Sequence, residues 1–165
     1  MTRKPPFAAS LPGCQPITCA AEFTPAAIRR RRHELGMSAA DFWSAIGAKE
    51  KQGYHYENGT SQITPLIQSL LFMQYVLGIE LRGLALEGVN GEKITAIRAS
   101  LGMTETQFGD ALDVCRSAIQ NYGHGKTRIP EYVKVAALIV ERGLPWRCET
   151  LEQVEKVKQA WRKAK

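Results

Sequence analysis

The sequence predicts an all-α fold: two tandem copies of one small helical bundle, followed by a C-terminal helix. Three observations carry this. No stretch alternates apolar and polar residues with period two, so no sheet is expected. Leu35-Gly36-Met37-Ser38 recurs as Leu101-Gly102-Met103-Thr104, an offset of 101 − 35 = 66. The same ungapped offset pairs Ile28 with Ile94, Arg32 with Arg98, Phe42 with Phe108, Ala45 with Ala111 and Ile46 with Leu112. It continues through Tyr56/Tyr122, Gly59/Gly125 and Ile63/Ile129, which implies a duplicated structural unit. Finally, helix start and stop signals recur at matching places in both copies.

Residues 1–23 are rich in Pro, Ala, Ser and Gly and lack periodicity, so a flexible arm is expected there. Thr24 caps a first helix with Pro25 at its first position, and Leu35-Gly36 ends it. Ser38-Ala39-Ala40-Asp41 opens a second helix as a capping box with Asp in place of Glu, running to Ile46. Its counterpart opens at Thr104-Glu105-Thr106-Gln107 and runs to Leu112. A tight turn then leads to a third helix of about two turns, ending at Gly59 or Gly125, where glycine suits a left-handed residue. Thr64-Pro65 starts a longer apolar helix, Leu66–Leu77, stopped by Gly78; Pro130–Arg142, stopped by Gly143, is its twin. Thr150-Leu151-Glu152-Gln153 caps the last helix. One stripe of that helix is Leu151, Val154, Val157 and Trp161; the other face carries Lys156, Lys158, Arg162 and Lys163. The expected organisation is therefore an arm (1–23), unit one (24–79), a linker (80–91), unit two (92–145) and a basic C-terminal helix (146–165).

A chain of 165 residues with 44% hydrophobic content can bury a core. Its net charge of +6 and pI of about 9.3 favour a polyanionic partner. No apolar run reaches the roughly 18 residues of a bilayer span, and none suits a secretory leader, so no membrane partner and a cytoplasmic, nucleoid-associated location are expected. Cys14, Cys19, Cys115 and Cys148 match no zinc spacing and are expected as reduced thiols. His33, His55 and His124 lie far apart. Asp110 and Asp113 suit exposed turn and helix-surface positions better than an acid pair. With no phosphate loop or nucleophile elbow either, no enzyme and no cofactor is expected.

Two short helices joined by a tight turn, the second edged with polar and basic residues, form a helix-turn-helix arrangement whose second helix can enter a DNA major groove. Leu101-Gly102-Met103-Thr104, Gln107-Phe108-Gly109, Val114 to Gly125 and Lys126-Thr127-Arg128-Ile129-Pro130 carry a resemblance to the Cro/phage-repressor (Xre-like) helix-turn-helix family. Unit one adds Leu35-Gly36-Met37-Ser38, Phe42 and Tyr56-Glu57-Asn58-Gly59. The resemblance covers most of residues 24–145 and implies two lambda-repressor-like bundles that bind double-stranded DNA. It implies base reading by Arg116, Ser117, Gln120 and Asn121. That chemistry suits guanine O6/N7 for Arg and adenine N6/N7 for Asn or Gln. His124, Lys126, Thr127 and Arg128 are then phosphate contacts. Ile119 should wedge inward against Phe108 and Leu112. In unit one, Glu50, Lys51 and His55 fall at the reading positions, with Gln52 and Tyr54 adjacent and Lys49 and Ser61 as phosphate contacts; a carboxylate there can accept from cytosine N4.

The sequence departs from the family at three places. Trp43 stands where the family has a small residue, and Gly53 where it has an aliphatic wedge. Overpacking costs about 1–3 kcal/mol and a helical glycine about 1, but the two cancel if the indole fills the space over Gly53. Glu105 replaces a Gln that commonly contacts phosphate. The family also pairs a first-helix Arg with a third-helix Glu, which implies Arg32 with Glu57; Arg98 faces Gly123 and needs another partner. Arg29-Arg30-Arg31-Arg32 spread around a helix, so most are expected in solvent, with one or two along a phosphate backbone.

The resulting expectation is a transcriptional regulator, a repressor, on half-sites about 34 Å apart. The alternative is a protein-interaction module, an antitoxin or anti-activator, using one unit for a partner protein. Two arrangements stay open: the two copies side by side in the manner of a pseudo-dimer, or a homodimer of the chain through Leu66–Tyr75 or the last helix.

Overall fold

The computed structural model describes residues 16–165. Residues 1–15, with Cys14 and most of the expected arm, lie outside the described residues. Among the described residues the fold is all helical, with nine α-helices and one 3₁₀ turn. Unit one comprises α1 (Pro25–Glu34), α2 (Ala39–Ser44), α3 (Glu50–Glu57) and α4 (Pro65–Tyr75). Unit two comprises α5 (Gly91–Ser100), α6 (Glu105–Leu112), α7 (Arg116–Gly123) and α8 (Glu131–Glu141). The last helix, α9, spans Leu151–Lys163.

Capping fixes most helix starts. Thr24, Thr64, Thr104 and Thr150 each accept a hydrogen bond from the backbone N–H three residues on, satisfying donors that the first turn would otherwise leave open. The boxes at Thr104/Gln107 and Thr150/Gln153 are reciprocal. The box expected at Ser38 is only half made. Ser38 Oγ accepts from Asp41 N at 3.1 Å but donates to Asp41 Oδ2 at 2.9 Å. Asp is one methylene shorter than Glu, and its carboxylate bonds the hydroxyl instead of the Ser38 backbone. α2 also stops at Ser44, short of Ile46, because Ile46 N and Ala48 N both donate back to Trp43 O and wind the chain into a tight turn.

The duplicated unit is larger than the repeated motifs alone indicate. In the segment expected as an arm, Ala20–Glu22 form the 3₁₀ turn, and Ala20 and Phe23 are fully buried. Phe23 N donates to Ala20 O, as Val89 N donates to Leu86 O one repeat later. Phe23 and Val89 each precede an N-cap, and the buried Ile28 and Ile94 occupy the fourth helical position, the two places a hydrophobic staple uses. The expected linker 80–91 likewise belongs to the fold. Leu81, Leu84 and Val89 are buried, and Asn90 already caps α5. Arg82 Nη2 donates to Asp41 O and Ser44 Oγ in the last turn of α2, while Arg147 Nη2 donates to Asp110 O in the last turn of α6. Each unit thus finishes with an arginine closing the carbonyl end of its own second helix.

Both long helices are buried on every side. Leu66, Ile67 and Ser69–Met73 of α4 are buried, as are Val133 and Val135–Ile139 of α8, which places both at the centre of the core. Tyr75 stacks on Phe42 at 4.3 Å between ring centroids and donates to Phe42 O. The α4 face offered above as an oligomer surface is therefore consumed inside the chain. Buried side chains of both units join in one continuous core, so the units are not separate globules. On α9 the expected stripe is shortened: Val154 and Val157 are buried, but Leu151 is 63% exposed, because its first turn projects past the core.

Candidate nucleic-acid interface

The α6–α7 pair is built from the inside outward. Phe108, Leu112, Ile119 and Tyr122 are buried and join the core, so the opposite edge of α7 must face out. Arg116 and Ser117 are exposed and Gln120 and Asn121 half-buried. The Arg116 side chain is 65% exposed. His124, Lys126, Thr127 and Arg128 follow in an exposed loop, and Lys126 N closes the helix by donating to Asn121 O.

Glu105, at the first position of α6, grips two of these side chains. Its Oε2 accepts from Gln120 Nε2 at 2.8 Å and from Arg116 Nε at 3.1 Å. Those two bonds, from Gln120 and then Arg116, hold the carboxyl below its ordinary range, so it stays anionic near neutral pH. A carboxylate therefore organises the outer edge of α7 where the resemblance implies a neutral phosphate contact. The sequence marked Glu105 only as a departure, and no local signal in it shows that the side chain bridges to α7.

The α2–α3 pair repeats the arrangement with different chemistry. Lys49, Glu50, Lys51, Tyr54, His55 and Ser61 are exposed, while Gly53 and Tyr56 are buried. Gln52 turns inward and donates to Tyr56 Oη at 2.6 Å. His55 Nδ1 lies 3.0 Å from Thr60 Oγ1, and Tyr54 Oη donates loosely to Glu50 Oε1 at 3.4 Å. Among the described residues no carboxylate pairs with Lys49, Lys51 or Lys126. These are cations presented to solvent without a counter-charge.

Trp43 and Gly53 compensate each other. Trp43 is fully buried, and a Cβ placed on Gly53 would collide with its indole ring, 2.1 Å from Cδ1 and 2.2 Å from Nε1. The indole N–H donates to Glu57 Oε1 at 3.0 Å. Arg32 grips the same carboxylate bidentately, Nε to Oε1 at 2.8 Å and Nη2 to Oε2 at 2.9 Å. Burial pushes the Glu57 carboxyl up, but the bonds from Arg32 and Trp43 and the charges of Arg32 and Arg29 outweigh it and hold it below its ordinary value. Arg98, with no carboxylate opposite, donates to Met103 O.

The four arginines of α1 all bond within the chain, although Arg29 and Arg30 stay exposed. Arg29 donates to Glu57 O and Asn58 Oδ1. Arg30 and Arg31 pair with Glu34, and Arg31 also donates to Tyr75 O. With Arg32 on Glu57, all four are held by the protein itself, because carboxylates and helix-end carbonyls lie within reach on each side of α1.

Cys19, Cys115 and Cys148 are free thiols, and burial pushes Cys148 up to about 12. Among the described residues no group of three or more His, Cys, Asp or Glu side chains is placed to hold a metal ion, and no helix is long and apolar enough to cross a membrane. No family model matches the chain, and neither a curated protein nor a solved structure matches it.

Proposed function

We propose that this chain is a sequence-specific double-stranded-DNA-binding transcriptional regulator acting as a repressor, with α3 and α7 as its reading helices. One observation carries the reading. In each copy a helix of eight residues buries its inner edge and presents an outer edge of hydrogen-bonding and cationic side chains. In α7 that edge is Arg116, Ser117, Gln120 and Asn121; in α3 it is Glu50, Lys51 and His55. A helix of this size fits the major groove, and these side-chain types match base-edge donors and acceptors. The uncompensated Lys49 and Lys126, with Arg128, supply phosphate contacts whose affinity depends on counterion release.

A salt titration on duplex DNA tests this. With about six phosphates neutralised, affinity should fall about a thousandfold between roughly 50 and 200 mM salt. Arg116→Ala should cost ~1–3 kcal/mol of sequence discrimination with helicity retained. Lys126→Ala should weaken all sequences alike and lower the salt slope by about one. Binding that ignores salt, or that Arg116→Ala leaves untouched, would favour an apolar protein partner and remove the regulator reading.

A further inference from the structure

We infer that the two units form a covalent pseudo-dimer about a near-twofold axis, so that one chain covers both halves of an inverted, unequal DNA site. This rests on the DNA-binding reading above and specifies its substrate. The geometry comes from one pair of reciprocal seats. Gly47 and Asp113 are twin positions (113 − 47 = 66), and so are Leu66 and Tyr132 (132 − 66 = 66). Both turn residues have positive φ, 81° at Gly47 and 58° at Asp113. Asp113 Oδ2, in the turn of unit two, accepts from Leu66 N at the start of α4 in unit one, at 3.0 Å. The turn of unit one sits on the start of α8 in unit two, so closely that a Cβ on Gly47 would lie 2.7 Å from Tyr132 N.

Position i of the first unit touches position j of the second, and position i of the second touches position j of the first. That reciprocity defines an isologous contact; a head-to-tail repeat would seat one turn and leave the other open. One further feature fits the same axis. Lys49 and Gln52 of α3 line one cleft of about 310 Å³ with Arg128, Pro130 and Tyr132 of unit two. Lys49 and Arg128, candidate phosphate contacts from different units, thus share a rim.

The single core fixes the spacing of α3 and α7 within the monomer, so binding needs no association step between chains. The readers are not equivalent, however. Arg116, Ser117, Gln120 and Asn121 stand in register with Glu50, Lys51, Tyr54 and His55. Arg favours guanine and Glu favours the cytosine amino group, so the two half-sites must differ.

The test uses the full chain. Bound duplexes are selected from a random pool, the mass of the complex is measured, and footprints are taken for wild type, Arg116→Ala and Lys51→Ala. The expected outcome is one chain per duplex on two dissimilar, inverted half-sites with centres about ten base pairs apart. Each variant should erase protection over its own half and lower affinity about tenfold, with helicity intact. Two chains per duplex, half-sites in direct repeat, or a footprint indifferent to Lys51→Ala would overturn the pseudo-dimer while leaving DNA binding standing. Retention of no duplex at any salt would overturn both.

Discussion

Glu57 concentrates three demands on one carboxylate: two bonds from Arg32, one from Trp43 and burial beneath them. Its pKa is depressed on folding, so the stability it contributes is present above the ordinary carboxylate value near 4.3 and is lost as pH falls through the folded value. The urea midpoint should therefore drop as pH falls below about 5. Glu57→Gln should cost ~3–5 kcal/mol at neutral pH, because it leaves the Arg32 charge buried without a partner, and should flatten part of that acid slope. An unchanged slope would remove Glu57 as its source. Trp43 over Gly53 was legible in the sequence, since a large-for-small exchange beside a small-for-large one has few geometric solutions, and the Arg32–Glu57 pair was what the family resemblance implied. The role of Glu105 was not legible, because nothing local shows which side chains of α7 reach back to it.

Helix starts were readable because capping is local: a Thr and the three residues after it settle whether the first donors are satisfied. At Thr104 the reciprocal box is complete, and Thr104→Ala should cost ~0.5–2 kcal/mol, read as a lower urea midpoint with an unchanged slope. The corresponding loss at Ser38, where the returning bond is absent, should be smaller. The 3₁₀ turn at Ala20–Glu22 and the buried Leu81, Leu84 and Val89 were beyond such reading. Pro- and Gly-rich segments look like tether in one dimension, and only the position of α4 and α8 decides that their few apolar residues are covered. The partners of the arginine run were beyond such reading too: Glu57 and Tyr75 come from elements far along the chain.

At the scale of the molecule, the shared core implies that the two units unfold together. Calorimetry should give one transition whose calorimetric and van't Hoff enthalpies agree; two separable transitions would mean that the contacts between units are weak. Asp113→Ala, which removes the bond to Leu66 N, should lower that transition without splitting it, by the ~1–3 kcal/mol of an unsatisfied buried donor. The duplication was plain in the sequence, but the way its halves meet was not, since an offset of 66 is compatible with any rotation between copies. The seats at Gly47 and Asp113 carry a last consequence. In an assembly of identical subunits every mutation is made twice, and both sides of an interface change in step. Here each side is encoded separately, so one seat has become a bare glycine and its twin an aspartate, and either half can drift without obliging the other to follow.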